Sequence, residues 1–298
     1  MSFRLEHVQI VFFSGTGGSK RIAVTFRDEL LKWGSVVNLV ELGGSCKDQI
    51  HEPTSGNADF YILIFPVYAF DAPGLIYRWI EAQKGDLSGK EAAVISVSGG
   101  GEVWPNTGCR NDCCKAMEKK GIAVVYDRMM CMPANLAVEF NDDLVAWTLR
   151  AIPEKVKEIV ADLSEGVAKR TKYWKGPLRS YLTKLENRKG YLFAKDLIIT
   201  DGCTGCGWCA SHCPVSNIQI SEKSSKPVFM NHCMVCMRCV YGCPVRAIQC
   251  KSSVVFQKGF DLDAVERRME GRELKPVKQC CKGLLLVGVK KYLLEKQT

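Results

Sequence analysis

Short apolar runs alternate with longer amphipathic stretches through the first half of the chain. The apolar runs are rich in Val, Ile, Leu and Phe, which favours buried strands, and they lie at 7–13, 36–41, 60–65, 92–98 and 122–129. The stretches between them have apolar residues at helical spacing, which predicts helices at 20–33, 74–83, 109–120 and 142–172. Ser19 is predicted to cap the first of these helices. This alternation predicts an α/β fold with a doubly wound parallel sheet.

The pattern changes in the second half of the chain. Residues 170–195 are basic and aromatic and are interrupted by Gly176-Pro177, so we expect two helical pieces that link two domains. Beyond them we predict short strands at 197–200 and 218–221 and an amphipathic helix at 262–270. The sequence thus predicts an α/β domain, a basic helical linker, a small α+β domain and a helical tail, with boundaries 1–168, 169–195, 196–252 and 253–298.

Three loops follow predicted strands, and the carboxyl ends of such strands form the edge of the sheet where ligands bind. The first, SGTGGS, is suited to a phosphate group, because glycines let backbone N–H groups approach an anion and its hydroxyls add donors. It lacks the GK[ST] of a P-loop, Lys20 replaces the last glycine of G-x-G-x-x-G, and a plain glycine turn is the alternative. The candidate residues of this phosphate loop, the second loop and the third loop are Ser14, Gly15, Thr16, Gly17, Gly18 and Ser19; Pro66, Val67, Tyr68, Ala69 and Phe70; and Ser98, Gly99, Gly100 and Gly101.

Two cysteine-rich segments share the spacing C-x2-C-x2-C-x3-C-P, at 203–214 and 233–244. Every cysteine of the first copy recurs thirty positions later, which indicates a duplicated unit. This spacing is typical of bacterial [4Fe-4S] sites, in which the fourth cysteine of each run ligates the other cluster. A zinc site or a disulfide framework does not match it. We therefore assign one cluster to a first quartet and one to a second quartet, which are Cys203, Cys206, Cys209 and Cys243, and Cys233, Cys236, Cys239 and Cys213.

Charge and composition restrict the partners. The net charge of +9 is uneven, because residues 1–160 hold 17 basic and 20 acidic residues whereas residues 161–298 hold 24 and 12. A basic face for an acidic redox partner is expected, and nucleic acid is disfavoured because no reading motif accompanies the charge. Sixteen cysteines without a signal peptide predict a reducing, cytoplasmic location, and no window reaches the 18 apolar residues of a membrane span. The oligomeric state stays open.

The three loops resemble those of flavodoxins over roughly residues 5–160. FFSGTGGSKRIA is similar to the flavodoxin loop that binds the phosphate of FMN, with Ser19 in place of the usual final Thr. FPVYAFDAP and SVSGGGEVW resemble the two loops around the isoalloxazine ring, which Tyr68 is then expected to stack against. A flavodoxin-like domain followed by a two-cluster ferredoxin domain resembles the EFR1-family ferredoxins of anaerobes, which implies FMN and two [4Fe-4S] clusters in one chain.

These features predict an electron-transfer protein that passes electrons between clusters, FMN and a redox partner protein. No acid–base pair or nucleophile constellation is visible, and the four histidines are scattered. The alternative is an FMN-dependent reductase of a small organic substrate that its own clusters supply with electrons. A module in which the clusters serve only as structure is a third class, and an NAD(P)H oxidoreductase is disfavoured because a second dinucleotide fingerprint is absent.

Overall fold

A five-stranded parallel sheet forms the first half of the protein. The computed structural model describes residues 2–43, 58–172, 190, 192–251, 254–256 and 258–295. The strands lie in the order β2-β1-β3-β4-β5, which is the order of flavodoxin-like doubly wound sheets and confirms the predicted fold class. Their bounds are His7–Phe12, Val36–Glu41, Phe60–Pro66, Glu91–Ser98 and Ala123–Cys131 for β1 to β5.

Four helices cover the two faces of this sheet. They are α1 (Gly18–Lys32), α2 (Gly74–Ala82), α3 (Asn111–Lys119) and α4 (Asp142–Ser164). The apolar sides of α1 and α4 bury one face, and those of α2 and α3 bury the other. Alternate residues of β3 divide between the two cores, so both faces are apolar, as expected for a parallel sheet.

Two local predictions are wrong. Ser19 does not cap α1, because Gly17 is the capping residue and adopts a left-handed conformation (φ 94°) that favours glycine. The helix predicted at 142–172 ends at Ser164, since Gly166 is left-handed (φ 74°) and turns the chain back. Lys169 then pairs with β5, where its N–H donates to the Val125 carbonyl at 3.1 Å.

The cysteine-rich segment forms two similar halves. Strands β6 (Leu197–Ile199) and β9 (Ile248–Cys250) pair antiparallel, as do β7 (Ile218–Ile220) and β8 (Pro227–Phe229). A one-turn helix contains the third cysteine of each run. These helices are α5 (Trp208–Ser211) and α6 (Arg238–Tyr241). The duplication in sequence is therefore a duplication in structure.

The C-terminal tail packs on the first domain. It contains α7 (Leu262–Met269), which matches the predicted helix, and also α8 (Val277–Cys280) and α9 (Val287–Leu294). Val289 and Tyr292 are buried in the core between the sheet and α4, together with Cys280 and Cys281. The tail therefore extends one core of the α/β domain.

Most of the predicted linker, 173–189 and 191, lies outside the described residues. Among the residues that are described, no helix combines the length and apolar character needed to cross a membrane.

Candidate functional site

Three loops meet around one cavity at the carboxyl edge of the sheet. The cavity has a volume of about 640 Å³, within the range of small-molecule and cofactor sites. Four of the predicted residues do not line it: Gly17, Phe70, Gly100 and Gly101. The predicted residues that do line it are Ser14, Gly15, Thr16, Gly18, Ser19, Pro66, Val67, Tyr68, Ala69, Ser98 and Gly99.

The phosphate loop leads directly into the N-terminus of α1. The Ser14 hydroxyl accepts a hydrogen bond from the Gly17 N–H at 3.1 Å, which holds the loop in a tight turn. Thr16 and the buried Ser19 both face the cavity. Backbone N–H groups at the start of a helix favour an anion, so this end of the cavity is suited to phosphate.

Asn135 lines the cavity, although its sequence context indicates no role for it. Its side-chain Nδ2 donates to the Thr16 hydroxyl at 3.2 Å, and its amide acts to lower the pKa of the Tyr68 phenol. It therefore lies between the phosphate loop and the second loop. The sequence places it only in a loop after β5, and nothing in its local pattern shows that two other loops converge on it.

The second loop presents Tyr68 through a tight hairpin turn. Ala69 and Phe70 both have positive φ, and the backbones of Tyr68 and Asp71 exchange hydrogen bonds of 3.0 and 2.9 Å, as in a two-residue turn. Phe70 is at the tip of this turn and outside the cavity lining. Burial raises the pKa of Tyr68 well above its ordinary value, and the nearby Cys236 thiol raises it further. The Tyr68 phenol therefore stays neutral.

The third loop is held from behind by the C-terminal tail. Ser98 Oγ accepts hydrogen bonds from the Gly100 N–H at 3.1 Å and from Asn106 Nδ2 at 3.2 Å. A side chain at Gly101 would overlap the backbone of Gly288 in α9. Gly101 and Gly288 therefore allow close contact between the third loop and the tail, whereas Ser98 and Gly99 face the cavity.

Gly15 is a position where a side chain is not tolerated. A Cβ built there would overlap the carbonyl oxygen of Cys236 and the hydroxyl of Tyr68. We expect Gly15→Ala to lower the free energy of unfolding by about 1–3 kcal/mol, the usual range for overpacking. Gly18→Ala is the matched control, since its Cβ meets Met132 Cβ at an ordinary 3.5 Å. Denaturant unfolding of the flavin-free protein measures both variants, and equal stabilities would show that the loop is not closely packed against Cys236.

Thr16 and Ser19 provide a second test, in binding. Each hydroxyl faces the phosphate end of the cavity, and a hydrogen bond to a charged group contributes about 1.5–3 kcal/mol. Thr16→Ala and Ser19→Ala should therefore each lower the affinity for FMN by about one to two factors of ten, while the iron content stays constant. Fluorescence titration measures the affinity, and riboflavin, which lacks the phosphate, is the control ligand. Unchanged FMN affinity in both variants would place the phosphate elsewhere.

Each predicted quartet of cysteines surrounds its own small cavity. One cavity is lined by all members of the first quartet: Cys203, Cys206, Cys209 and Cys243. The other is lined by all members of the second quartet: Cys233, Cys236, Cys239 and Cys213. The structure thus brings together cysteines from both runs in the crossed arrangement, and soft thiolate donors in groups of four suit iron–sulfur clusters.

The two quartets differ in exposure. In the first, Cys206 is exposed, whereas the corresponding Cys236 of the second is buried. Burial raises the pKa of the free Cys236 thiol to about 12, so this group must lose its proton when it binds iron. Backbone N–H groups donate to three cysteine Sγ atoms of the quartets: from Asn217 to Cys213 at 3.1 Å, from Val235 to Cys233 at 3.4 Å and from Ala247 to Cys243 at 3.3 Å. Such donors stabilise thiolate ligands.

Comparisons with known proteins find similarity in both halves of the chain. Residues 195–244 match the family of 4Fe-4S dicluster domains. The N-terminal half superposes on oxidised flavodoxin 2 from Bacillus cereus, with a TM-score of 0.40 and 15% identity, over 54% of this chain and 99% of that one. Flavodoxin from Streptococcus pneumoniae TIGR4 gives a TM-score of 0.35 and 19% identity, over 52% and 99% of the two chains. No curated protein sequence matches this chain.

One further superposition is with part of a larger enzyme. The rubredoxin oxygen:oxidoreductase of the anaerobe Desulfovibrio gigas superposes with a TM-score of 0.39 and 13% identity, over 54% of this chain and 36% of that enzyme. The strand order, rather than any of these superpositions, defines the fold as flavodoxin-like. The chain therefore joins a flavodoxin-like domain to a 4Fe-4S dicluster domain, an arrangement that serves electron transfer.

Proposed function

We propose that this protein is an electron-transfer flavo-iron–sulfur protein that passes electrons between two [4Fe-4S] clusters and FMN and on to a redox partner protein. The observation that carries the proposal is that the large cavity is lined by residues of both domains: the three loops on one side, and Cys233, Met234 and Val235 on the other. One quartet of cysteines and the flavin-type cavity therefore share a wall. Such proximity within one chain makes a diffusive encounter unnecessary.

The cavity fits FMN in its chemistry as well as its size. The helix N-terminus and the Thr16 and Ser19 hydroxyls line the cavity and suit a phosphate group. Pro66, Tyr68 and Met234 also line it, and their apolar surfaces suit a flat aromatic ring. FMN, when bound, holds one or two electrons, whereas the protein supplies orientation, charge and exclusion of water.

The cysteine quartets fit two [4Fe-4S] clusters. Each offers four thiols around one cavity, and the described residues that line these two cavities include no histidine or carboxylate. An all-thiolate donor set suits an iron–sulfur cluster and disfavours a hard cation such as Mg²⁺. The combination of domains also supports membership of the EFR1-family ferredoxins, which we propose as the family of the chain.

The partner that suits this protein is an acidic redox protein. Residues 161–298 carry 24 basic and 12 acidic side chains, a net charge of +12, and this half contains both quartets. Complementary charge speeds the encounter between redox proteins, and this effect weakens as salt is added.

Cofactor analysis with an anaerobic redox titration tests this proposal. The reconstituted protein should contain about eight iron atoms and one FMN per chain, from two cubane clusters and one cavity. Visible and EPR spectra recorded during the titration then count each centre and order their potentials. Iron near four atoms per chain, or an extracted flavin that is absent or is FAD, would contradict the proposal.

A further inference from the structure

The two cysteine runs are equivalent in sequence but not in their surroundings. The cavity of the first quartet is lined only by residues 203–248, all within the dicluster segment. The second run reaches the flavodoxin-like domain at the large cavity, because Cys233, Met234 and Val235 line it. The first run contacts this domain away from the cavity lining, where Pro214 lies against Gly43. The backbone carbonyl of Cys236 lies so close to Gly15 that a Cβ at residue 15 would overlap it. The second run is therefore a wall of the proposed FMN site.

Arg238 fixes this wall to the phosphate loop. The residue is 9% exposed, and its guanidinium donates to the carbonyl oxygens of Ser14 and Gly43. It lies over the Phe13 ring at 5.5 Å and is 3.4 Å from a Glu41 carboxylate oxygen. Ser14 is the first residue of the phosphate loop, so a cation from the second cysteine run positions that loop. The carbonyls that it satisfies are both in the flavodoxin-like domain.

The repeat itself supplies the comparison. Thirty residues before Arg238 the first run has Trp208, which stacks on His212 with ring centroids 4.2 Å apart. Within the part of the chain that the structure describes, Trp208 has hydrogen bonds to Ser211 and His212 of its own run and none to the flavodoxin-like domain. The residue before Val235 is Met234, and its counterpart in the first run is the exposed Thr204. The contacts with the cavity are thus a property of one copy only.

From this asymmetry we infer that the second quartet and the FMN site are thermodynamically coupled, and that the first quartet is independent of the FMN site. The inference rests on the proposed function for the identity of the ligand. Binding of metal fixes the backbone around its ligands, and the second run supplies three of the four ligands of the second quartet. In the second run, this backbone is a wall of the FMN site, so an occupied second quartet presents a formed wall to the flavin. Coupling of this kind is reciprocal, so bound FMN must also stabilise the cluster of the second quartet.

FMN binding by two matched variants tests the coupling. Cys236→Ala and Cys206→Ala remove the corresponding ligand from each run, and alanine cannot ligate iron. Iron analysis and circular dichroism confirm that each variant is folded and has lost one cluster. We expect Cys236→Ala to weaken FMN by about 5- to 150-fold, the usual range of coupling between sites, and Cys206→Ala to leave the affinity within about twofold. Equal FMN affinity in the two variants would overturn the inference.

The reverse direction provides an independent readout. Saturating FMN should slow the loss of iron to a chelator from the second quartet, measured in Cys206→Ala, and should not change the loss from the first quartet, measured in Cys236→Ala. Arg238→Met should lower the affinity for FMN more than the affinity for riboflavin, because it releases the phosphate loop. Arg238→Lys should restore part of the lost affinity for FMN. Identical iron loss with and without FMN in Cys206→Ala would again exclude coupling. Failure of the unaltered protein to bind FMN at all would instead contradict the proposed function.

Discussion

We expect Cys213→Ala to remove the cluster of the second quartet, although Cys213 belongs in sequence to the first cysteine run. The structure places Cys213 in the wall of the cavity that Cys233, Cys236 and Cys239 surround. Alanine has no ligating atom, so iron should fall from about eight to about four atoms per chain. Cys243→Ala should have the same effect on the first quartet. Cys109→Ala is the control, because this buried cysteine belongs to neither quartet and should leave the iron content unchanged.

Double variants decide which cluster is lost. Cys213→Ala combined with Cys236→Ala removes two ligands of one quartet, so about four iron atoms should remain. Cys213→Ala combined with Cys206→Ala removes one ligand from each quartet, so almost none should remain. Ligation by the cysteines nearest in sequence predicts the opposite pair of results. Iron analysis of the two double variants therefore separates the crossed from the uncrossed assignment.

Arg110→Met should cause the largest loss of stability. Arg110 and Asp127 are both fully buried, and their side chains form an ion pair of 2.8 Å. Arg110 also donates to Ser96 at 2.7 Å and to Glu102, next to the third loop, at 3.0 Å. Arg170 Nε at 3.2 Å and the Thr171 N–H at 2.9 Å remain on the Asp127 carboxylate, but its fully buried partner is lost. Breaking a buried pair costs about 3–5 kcal/mol, and we expect the lower part of that range. Denaturant unfolding of the flavin-free protein measures this change.

Two controls define the origin of that loss. Arg27→Met removes an exposed pair with Asp28 and should cost no more than about 1 kcal/mol. Asp127→Asn added to Arg110→Met should cost less than the sum of the single changes, because both charges are then gone.

Burial would raise the pKa of Asp127, but Arg110 and Thr171 hold it below its ordinary value. The contribution of the pair is thus complete above about pH 4 and is lost as the pH falls through the lowered pKa. An Arg110→Met variant as stable as Arg27→Met would contradict this account.

The strands and the two quartets could be predicted because their signals are local. A run such as Phe60–Phe65 is buried on both faces, so its apolar sequence indicates its place directly. The cysteine signal is likewise local, because the spacing C-x2-C-x2-C-x3-C-P alone indicates which residues are the expected cluster ligands. The cavity was predictable as a meeting of three loops, because the carboxyl ends of parallel strands share an edge.

The remaining features depend on contacts between distant parts of the chain. Ser19 has the chemistry of a helix cap, but the tight turn from Ser14 to Gly17 makes Gly17 the cap instead. Arg238 reads as one more basic residue in a basic half, and only the folded chain shows its contacts with Ser14 and Gly43. No local periodicity in the sequence reports such contacts.

In the proposed route, electrons enter through the clusters and reach FMN. A variant without either cluster, Cys206→Ala combined with Cys236→Ala, is the comparison for the unaltered protein, with FMN added to saturation. A reduced bacterial-type ferredoxin serves as the donor under anaerobic conditions, and stopped-flow spectroscopy follows cluster and flavin absorbance separately. Low and high salt are compared, because the basic second half should meet an acidic donor faster at low salt.

This stopped-flow comparison separates reduction of FMN through the clusters from direct reduction of FMN by the donor. In the unaltered protein, the cluster absorbance should bleach first and the flavin absorbance second, with a rate that falls as salt is added. In the variant, the donor-driven reduction of FMN should be lost while chemical reduction by dithionite persists. Rapid turnover of a small organic acceptor without a protein partner would favour a reductase. Donor-driven reduction of FMN at an unchanged rate in the folded, cluster-free variant would contradict the proposed route.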